Sequence, residues 1–430
     1  MSEYGMPEYK VSLDQLRPGV FIRLDRRNWF SHPFLFNSFK IGDQGQIEVL
    51  RELGIDVVTC IPEKSDCLPG RAKGNGNGAR VAVPPDPAPS ACDALSSELE
   101  RLWCIKRERA ERLRKKRQAI AKCEERYVDA VRLAAELRRG VLAGENAKGA
   151  EAEAFVSRLA EVFLGDPEST LHLMNVLTPE EQIYSHELNV TILSMMLARE
   201  GGLKRERLVL LGMAALLHDV GKERIDRKLL KKRGPLTRPE VQLLQRHVEL
   251  GRDLLMKLPA MPLRMVEAVY QHHEMLDGSG YPLGLTAGAI CTEARLLAVA
   301  NVYDNLCNHQ DPDRSLTPYL SLSYMFTQRR DQLDAELLSL FIRCMGVYPP
   351  GTVVQLSNGS IGMVMAVNPD NQLCPSLVMY DPEIPRKEAL IVDLAEEPEL
   401  KVEKSIRLSH LPAEILAYLS PRTRISYFVE

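Results

Sequence analysis

Five of the nine histidines fall in one ordered series: His186, His218, His247 and the adjacent pair His272-His273, with Asp219 directly after His218. The steps of about 25 to 32 residues each amount to roughly one helical hairpin, so the series asks for a bundle whose successive helices send ligand-type side chains to one interior. Neutral imidazoles with carboxylate oxygens suit iron, manganese or zinc, whereas calcium or magnesium would call for mostly oxygen donors. Any one of these histidines alone is more often a satisfied core residue. Their order and intact surroundings, YSHELNV, LLHDVGK, QRHVELG and QHHEMLDGSGYP, carry the metal reading.

The rest of the chain frames that bundle. VFIRL (Val20–Leu24), Phe34–Ile41 and Asp56–Ile61 read as strands and Ile47–Leu53 as a short helix, a small α+β unit over residues 1–67 with no phosphate-cradling glycine motif. Its His32 is expected to be structural. Leu68–Ala91 is rich in glycine, proline and alanine and reads as a linker, set at 68–92. Ser96–Leu142 lacks proline and predicts a long helical connector (93–152) with a seam at Leu95, Leu99, Leu102, Leu113, Ile120, Tyr127 and Val131, suited to a helix contact or a homodimer. Its basic stretch, Lys106–Arg117, predicts a solvated helix face rather than a nucleic-acid surface, because it has no aromatic stacking partners. Helical periodicity dominates 153–346. At Val347–Val367 two valine-rich runs flank Ser357-Asn358-Gly359-Ser360, a hairpin signal, and LCPSLVMYD and EALIVDL continue as strands of a β-rich appendage, 347–430. The fold class is therefore mainly α, a helical bundle between a small α+β domain and a small β appendage.

A net charge of only −3 supplies no field to recruit nucleic acid or anionic membrane. The polar start MSEYGMPEYK and the lack of any apolar run near 18 residues point to a cytoplasmic protein. Nine cysteines without a CxxC pair are expected as plain thiols. Within the histidine series, Asp219 has a distinct task, since a carboxylate can bridge two cations and imidazole cannot. A bridged pair lowers the pKa of bound water from 15.7 toward ~7 and polarises a phosphoryl oxygen. Lys222, one helical turn on, is placed to neutralise charge developing on phosphate.

His218-Asp219-Val220-Gly221-Lys222 and His272–Pro282 resemble the two signatures of the HD-GYP family of HD phosphohydrolases, and the similarity runs from about Thr178 to Pro350. The resemblance implies a helical bundle that hydrolyses cyclic di-GMP to the linear dinucleotide, in some members on to GMP, with two or sometimes three metals, commonly iron or manganese. It also implies that the N-terminal 140 or so residues are similar to a domain of unknown role. Carried over by position, His186, His218 and Asp219 would hold one metal, and Asp219, His247, His272 and His273 the other. Asn301 in VANVYD stands where the family has an aspartate ligand, with Asp304 one turn later. Gln182 stands where three-metal members supply glutamate, which favours two ions. DRSLTPYL (Asp313–Leu320) replaces an RPYR-like stretch, leaving Arg314 as the residue to reach phosphate. Lys222, Gly280, Tyr281 and Arg314 are thus the expected substrate contacts, and Asp219 and Lys222 the catalytic residues.

Gly278 and Gly280 permit a tight loop ending at Tyr281-Pro282. That loop either lines the nucleotide cleft or offers a surface to a GGDEF-type cyclase, as the resemblance implies, or simply orders the ligands upstream. Two functions follow. One is an active phosphodiesterase of second-messenger signalling. The other is a cyclic di-GMP receptor that has lost turnover through Asn301. A different HD phosphohydrolase is the weaker third, because it would not need the GYP segment.

Overall fold

In a computed structural model of the chain, the described residues are 8–24, 32–34, 38–70, 89–145, 148–174, 182–232, 234–258, 261–309, 314–368, 370–382, 384–386, 389–407 and 410–419. They form two compact units, one of residues up to Lys115 with Tyr380–Ile391, the other of Lys116–Met379 with residues from Val392 onward.

The first unit is built on an antiparallel sheet of β1 (Tyr9–Ser12), β2 (Phe21–Arg23), β3 (Ser38–Lys40) and β4 (Val57–Cys60) in the order β1-β4-β2-β3. Helix α1 (Gln44–Glu52) starts at Asp43, whose carboxylate accepts from the Gln46 amide and satisfies one of the helix's orphan donors. Val20, Ile22, Ile47, Leu50, Val58 and Cys60 form its core. Strand β1 is absent from the sequence reading because only Val11 of YKVS is buried, too short an alternation to signal a strand. The expected strand Phe34–Ile41 shrinks to β3, with residues 35–37 outside the described ones. Most of the expected linker, 71–88, also lies outside them.

Helix α2 (Pro89–Ala143) runs through 55 residues and is shared by both units. In the second unit its buried hydrophobic side chains are Ile120, Cys123, Tyr127, Ala130, Ala134, Leu137 and Val141. They recur at alternating steps of three and four, which keeps one stripe of a helix against its neighbours. The seam expected at Ile120 and Tyr127 is therefore a buried intrachain face.

The solvated reading of the basic stretch needs one correction. Arg107, Arg112, Arg114 and Lys115 are exposed, but Lys106 is 4% exposed and donates to the carbonyls of His32 at 2.6 Å and Phe34 at 3.3 Å. Burial lowers its amine from 10.5 to about 7. Between those values the unfolded chain holds a proton that the native one has shed, so stability of this unit should rise with pH from about 7 upward. Urea unfolding at pH 7, 8 and 9 should show that rise, and Lys106→Met should flatten it. A slope unchanged in the variant would assign the effect to other groups.

The second unit is a helical bundle: α3 (Lys148–Phe163), α4 (Pro167–Met174), α5 (Gln182–Glu200), α6 (Arg205–Leu217), α7 (Arg227–Leu230), α8 (Arg238–Gln245), α9 (His247–Leu255), α10 (Leu263–Gln271), α11 (Thr292–Cys307), α12 (Pro318–Gln328) and α13 (Ala335–Met345). Helices α5, α6 and α11 pack on one another and are buried nearly all round, as LVLLGMAALL in α6 requires. They are the central helices, and the metal-ligand candidates lie on or beside them.

The tail forms a sheet of β5 (Val353–Leu356), β6 (Ile361–Ala366), β7 (Ser376–Met379), β8 (Ile391–Asp393) and β9 (Val402–Ile406), in the order β8-β7-β6-β5-β9 with β9, β5, β6 and β7 pairing antiparallel, followed by α14 (Ala413–Leu419). The expected β5–β6 hairpin is present, with Gly359 at φ 82° in its turn. The chain is mainly α with a small sheet towards each end. None of the described helices is long and apolar enough to cross a membrane.

Candidate metal centre

Three of the candidate ligands sit where a helix stops. His218 caps the C-terminus of α6 and His272 that of α10, while His247 stands at the break between α8 and α9. The last carbonyls of a helix have no intrahelical donor. Each imidazole takes one of them with Nδ1: His218 to Ala215 at 2.6 Å, His247 to Leu244 at 2.8 Å and His272 to Val269 at 2.6 Å. A ring that donates from Nδ1 keeps the lone pair of Nε2 for a cation, so local backbone geometry selects the tautomer.

His186 lies inside α5, where neighbouring carbonyls already serve the helix. Its Nδ1 instead meets Asp304 Oδ2 of α11 at 2.6 Å. The other oxygen of Asp304 accepts from Asn189 at 2.9 Å and Asn308 at 2.8 Å. Asn189 accepts in turn from the Tyr127 hydroxyl at 2.6 Å. Asp304 thus holds a ligand candidate. Asn189 was missed from sequence, although it lies one turn after His186 on the same helix; Tyr127 carries no sequence signal of this role.

The Nε2 atoms converge on Asp219. Its Oδ2 lies 3.4 Å from His218 Nε2 and 3.7 Å from His186 Nε2, and its Oδ1 lies 3.3 Å from His247 Nε2. Two groups have donor atoms within 4.8 Å of one another: His186, His218 and Asp219, and Asp219, His247, His272 and His273. Asp219 belongs to both and offers a different oxygen to each side. The buried atoms His218 Nε2 and Asp219 Oδ1 have no hydrogen-bond partner. Orphaned polar atoms in a shared imidazole and carboxylate cage fit divalent cations.

Burial lowers the pKa of His272, His273 and His247, keeping them neutral as ligands must be. Burial also opposes ionisation of Asp219, but His218 and Lys222 overcome it and hold the carboxyl well below its ordinary range. Lys222 Nζ donates to Asp219 Oδ2 at 2.5 Å, and its side chain is 42% exposed. His186 is the exception: burial lowers it, the Asp304 hydrogen bond raises it, and the net shift is upward.

The glycines of both signatures mark close backbone approach. A Cβ on Gly221 would lie 2.0 Å from the His247 carbonyl oxygen, and one on Gly280 2.5 Å from that of His273. Glu274, 2% exposed, accepts from the Leu283 and Leu285 amides at 2.7 and 2.8 Å and closes the GYP loop. Tyr281 stacks on His273 with ring centroids 4.6 Å apart. The loop thus packs directly against the candidate ligand His273. Buried Asn301 accepts through Oδ1 from Asn305 at 2.7 Å. Arg314 is exposed, and no contact among the described residues joins it to the histidines. Gln182 opens α5, and its side chain is outside the described residues.

Residues 172–337 match the HD domain family, and they contain both signatures. The match takes in about two fifths of the chain. Residues 8–152 of this chain match a domain of unknown function, DUF3391. It is 27% identical over 373 residues to the cyclic di-GMP phosphodiesterase PA4108 of Pseudomonas aeruginosa, covering 86% of this chain and 84% of that one. The cyclic di-GMP phosphodiesterase response regulator RpfG of Xanthomonas campestris is 36% identical over 149 residues, 34% of this chain and 39% of the relative. A 3'3'-cGAMP-specific phosphodiesterase 1 of Vibrio cholerae is 36% identical over 180 residues, 40% of each chain. The chain thus spans less than half the length of the latter two.

Proposed function

We propose that this chain is a metal-dependent phosphodiesterase that hydrolyses cyclic di-GMP to the linear dinucleotide in second-messenger signalling, with GMP as the further product to test for. The observation that carries this reading is Asp219, whose two oxygens face two separate histidine groups. His186, His218 and Asp219 would hold one ion, with Asn301 nearby, and Asp219, His247, His272 and His273 the other. The mixed nitrogen and oxygen donors favour iron or manganese. Bound divalent ions supply Lewis acidity and an acidified water. The buried imidazoles exclude bulk solvent, and the exposed Lys222 side chain is free to turn from Asp219 toward a phosphate oxygen as charge grows there. Tyr281 and Gly280 form the wall beside His273, and Arg314 serves as a peripheral phosphate contact. Kinship to PA4108 and RpfG supports cyclic di-GMP as substrate, and the cGAMP-specific relative makes 3'3'-cGAMP the competitor to test.

Asn301 favours a second reading, a receptor that binds without cleaving, because its amide brings no negative charge. Iron or manganese titrated anaerobically into metal-free wild type and Asn301→Asp, with linear product followed, separates the two. Wild type should turn over. The aspartate variant should bind one ion roughly 10-fold more tightly, as an added charge a few Å away implies, and be faster only at limiting metal. Turnover confined to the variant would establish the receptor. Equal affinities in both proteins would remove Asn301 from the ligands, and a fully loaded wild type inert toward both dinucleotides would sink the phosphodiesterase reading.

A further inference from the structure

We propose that Tyr127 and Asn189 are positioning residues for His186: through Asp304 they aim its Nε2 at Asp219, so that the long helix α2 helps set a metal ligand. The proposal rests on the metal reading above and extends it to residues outside the HD signatures.

The connections run through buried groups with complementary donors and acceptors. Tyr127 is 2% exposed, Asn189 0% and Asp304 2%. The tyrosine hydroxyl donates to the Asn189 carbonyl oxygen at 2.6 Å, and the Asn189 amide donates to Asp304 Oδ1 at 2.9 Å. A carboxylate accepts and never donates when ionised, so the NH2 end of Asn189 must face Asp304. That leaves its oxygen for a donor, which among the described residues the hydroxyl of Tyr127 supplies. Asp304 Oδ2 is left for His186 Nδ1 at 2.6 Å. Every member is thereby oriented by the next.

The need for such a relay follows from where His186 stands. His218, His247 and His272 are held by carbonyls three residues back in the chain, each in the helix that ends just there. His186 has no such carbonyl and depends on side chains from α11, α5 and α2. Helix α2 also grips the flanks of the site, since Arg138 lies 3.2 Å from Glu187, beside His186, and 3.3 Å from Glu223, beside Lys222.

The test uses the full chain, with Tyr127→Phe, Asn189→Leu and the double variant. Tyr127→Phe keeps the ring that packs edge-on against Phe163 and removes only the hydroxyl. Side-chain nitrogen NMR of metal-free protein, with the His186 signal assigned by its loss in His186→Asn, reads the relay directly. Tyr127→Phe should shift the His186 resonance and leave those of His218, His247 and His272 in place. Manganese titration should then show one ion weakened about 3- to 10-fold in Tyr127→Phe and 10- to 100-fold in Asn189→Leu, the range for losing an outer partner of a ligand. The other ion should be unaffected. The double variant should match Asn189→Leu alone, because Tyr127 acts through Asn189. An unmoved His186 resonance in Tyr127→Phe, unchanged affinity for both ions, or equal weakening of both with a lower melting temperature of the metal-free protein would each overturn the proposal. Ion binding as expected but no hydrolysis of any cyclic dinucleotide would overturn the phosphodiesterase reading and leave the relay standing.

Discussion

Replacing Asp219 by alanine is expected to remove turnover of cyclic dinucleotide and the binding of at least one of two ions. No other candidate ligand faces both histidine groups: Oδ2 approaches His186 and His218, and Oδ1 approaches His247. Lewis-acid stabilisation by bound ions is worth several kcal/mol, so its loss corresponds to roughly 10³-fold or more in rate. The variant should still fold, because Lys222, its ion-pair partner, has a side chain 42% exposed that can turn to water. Metal content per chain and product formation, measured on one anaerobic preparation, check both halves. A variant that retains two tightly held ions would end the bridging role.

Gly221→Ala is expected to do comparable damage from a position that coordinates nothing. Its new methyl would lie 2.0 Å from the His247 carbonyl oxygen and 2.5 Å from the Gly251 amide nitrogen, so helix α9 itself must move. Overpacking against side chains costs about 1–3 kcal/mol, and immovable backbone puts this case at or above the upper end. His247 moves with its helix, and a displacement near 1 Å is enough for a rate loss on the order of 10²-fold. Gly288→Ala is the control, since a Cβ there meets nothing within 4 Å. Urea unfolding and manganese titration of the two variants should diverge sharply. Equal behaviour would mean that α9 yields without disturbing His247.

The bundle was legible in the sequence because burial on all sides writes itself as near-continuous apolar text, as in α6 and α11. The ligand candidates were legible because helix length fixes the spacing between successive interior side chains. What holds those side chains was hidden. The carbonyl partners of His218, His247 and His272 follow from where helices end, which periodicity locates only within a few residues. Asp304 was noticed, but its pairing with His186 joins residues 118 apart. Tyr127 looked like one more apolar seam position, and its hydroxyl acquires meaning only against α5. Lys106 looked solvated because its acceptors are main-chain carbonyls, which leave no trace in composition. The short strands β1 and β9 escaped because each has too few buried residues for an alternation to stand out.

The pairing of Lys222 with Asp219 gives the chain a plug of its own making. A buried carboxylate left bare among imidazoles would be a standing liability during synthesis, before any cation had arrived. With the ammonium in place, loading becomes an exchange of one positive guest for another, and the departing amine is already at the mouth of the site. In the proposed phosphodiesterase one side chain would thus serve twice, first as counter-ion to the carboxylate and afterwards as a donor to phosphate.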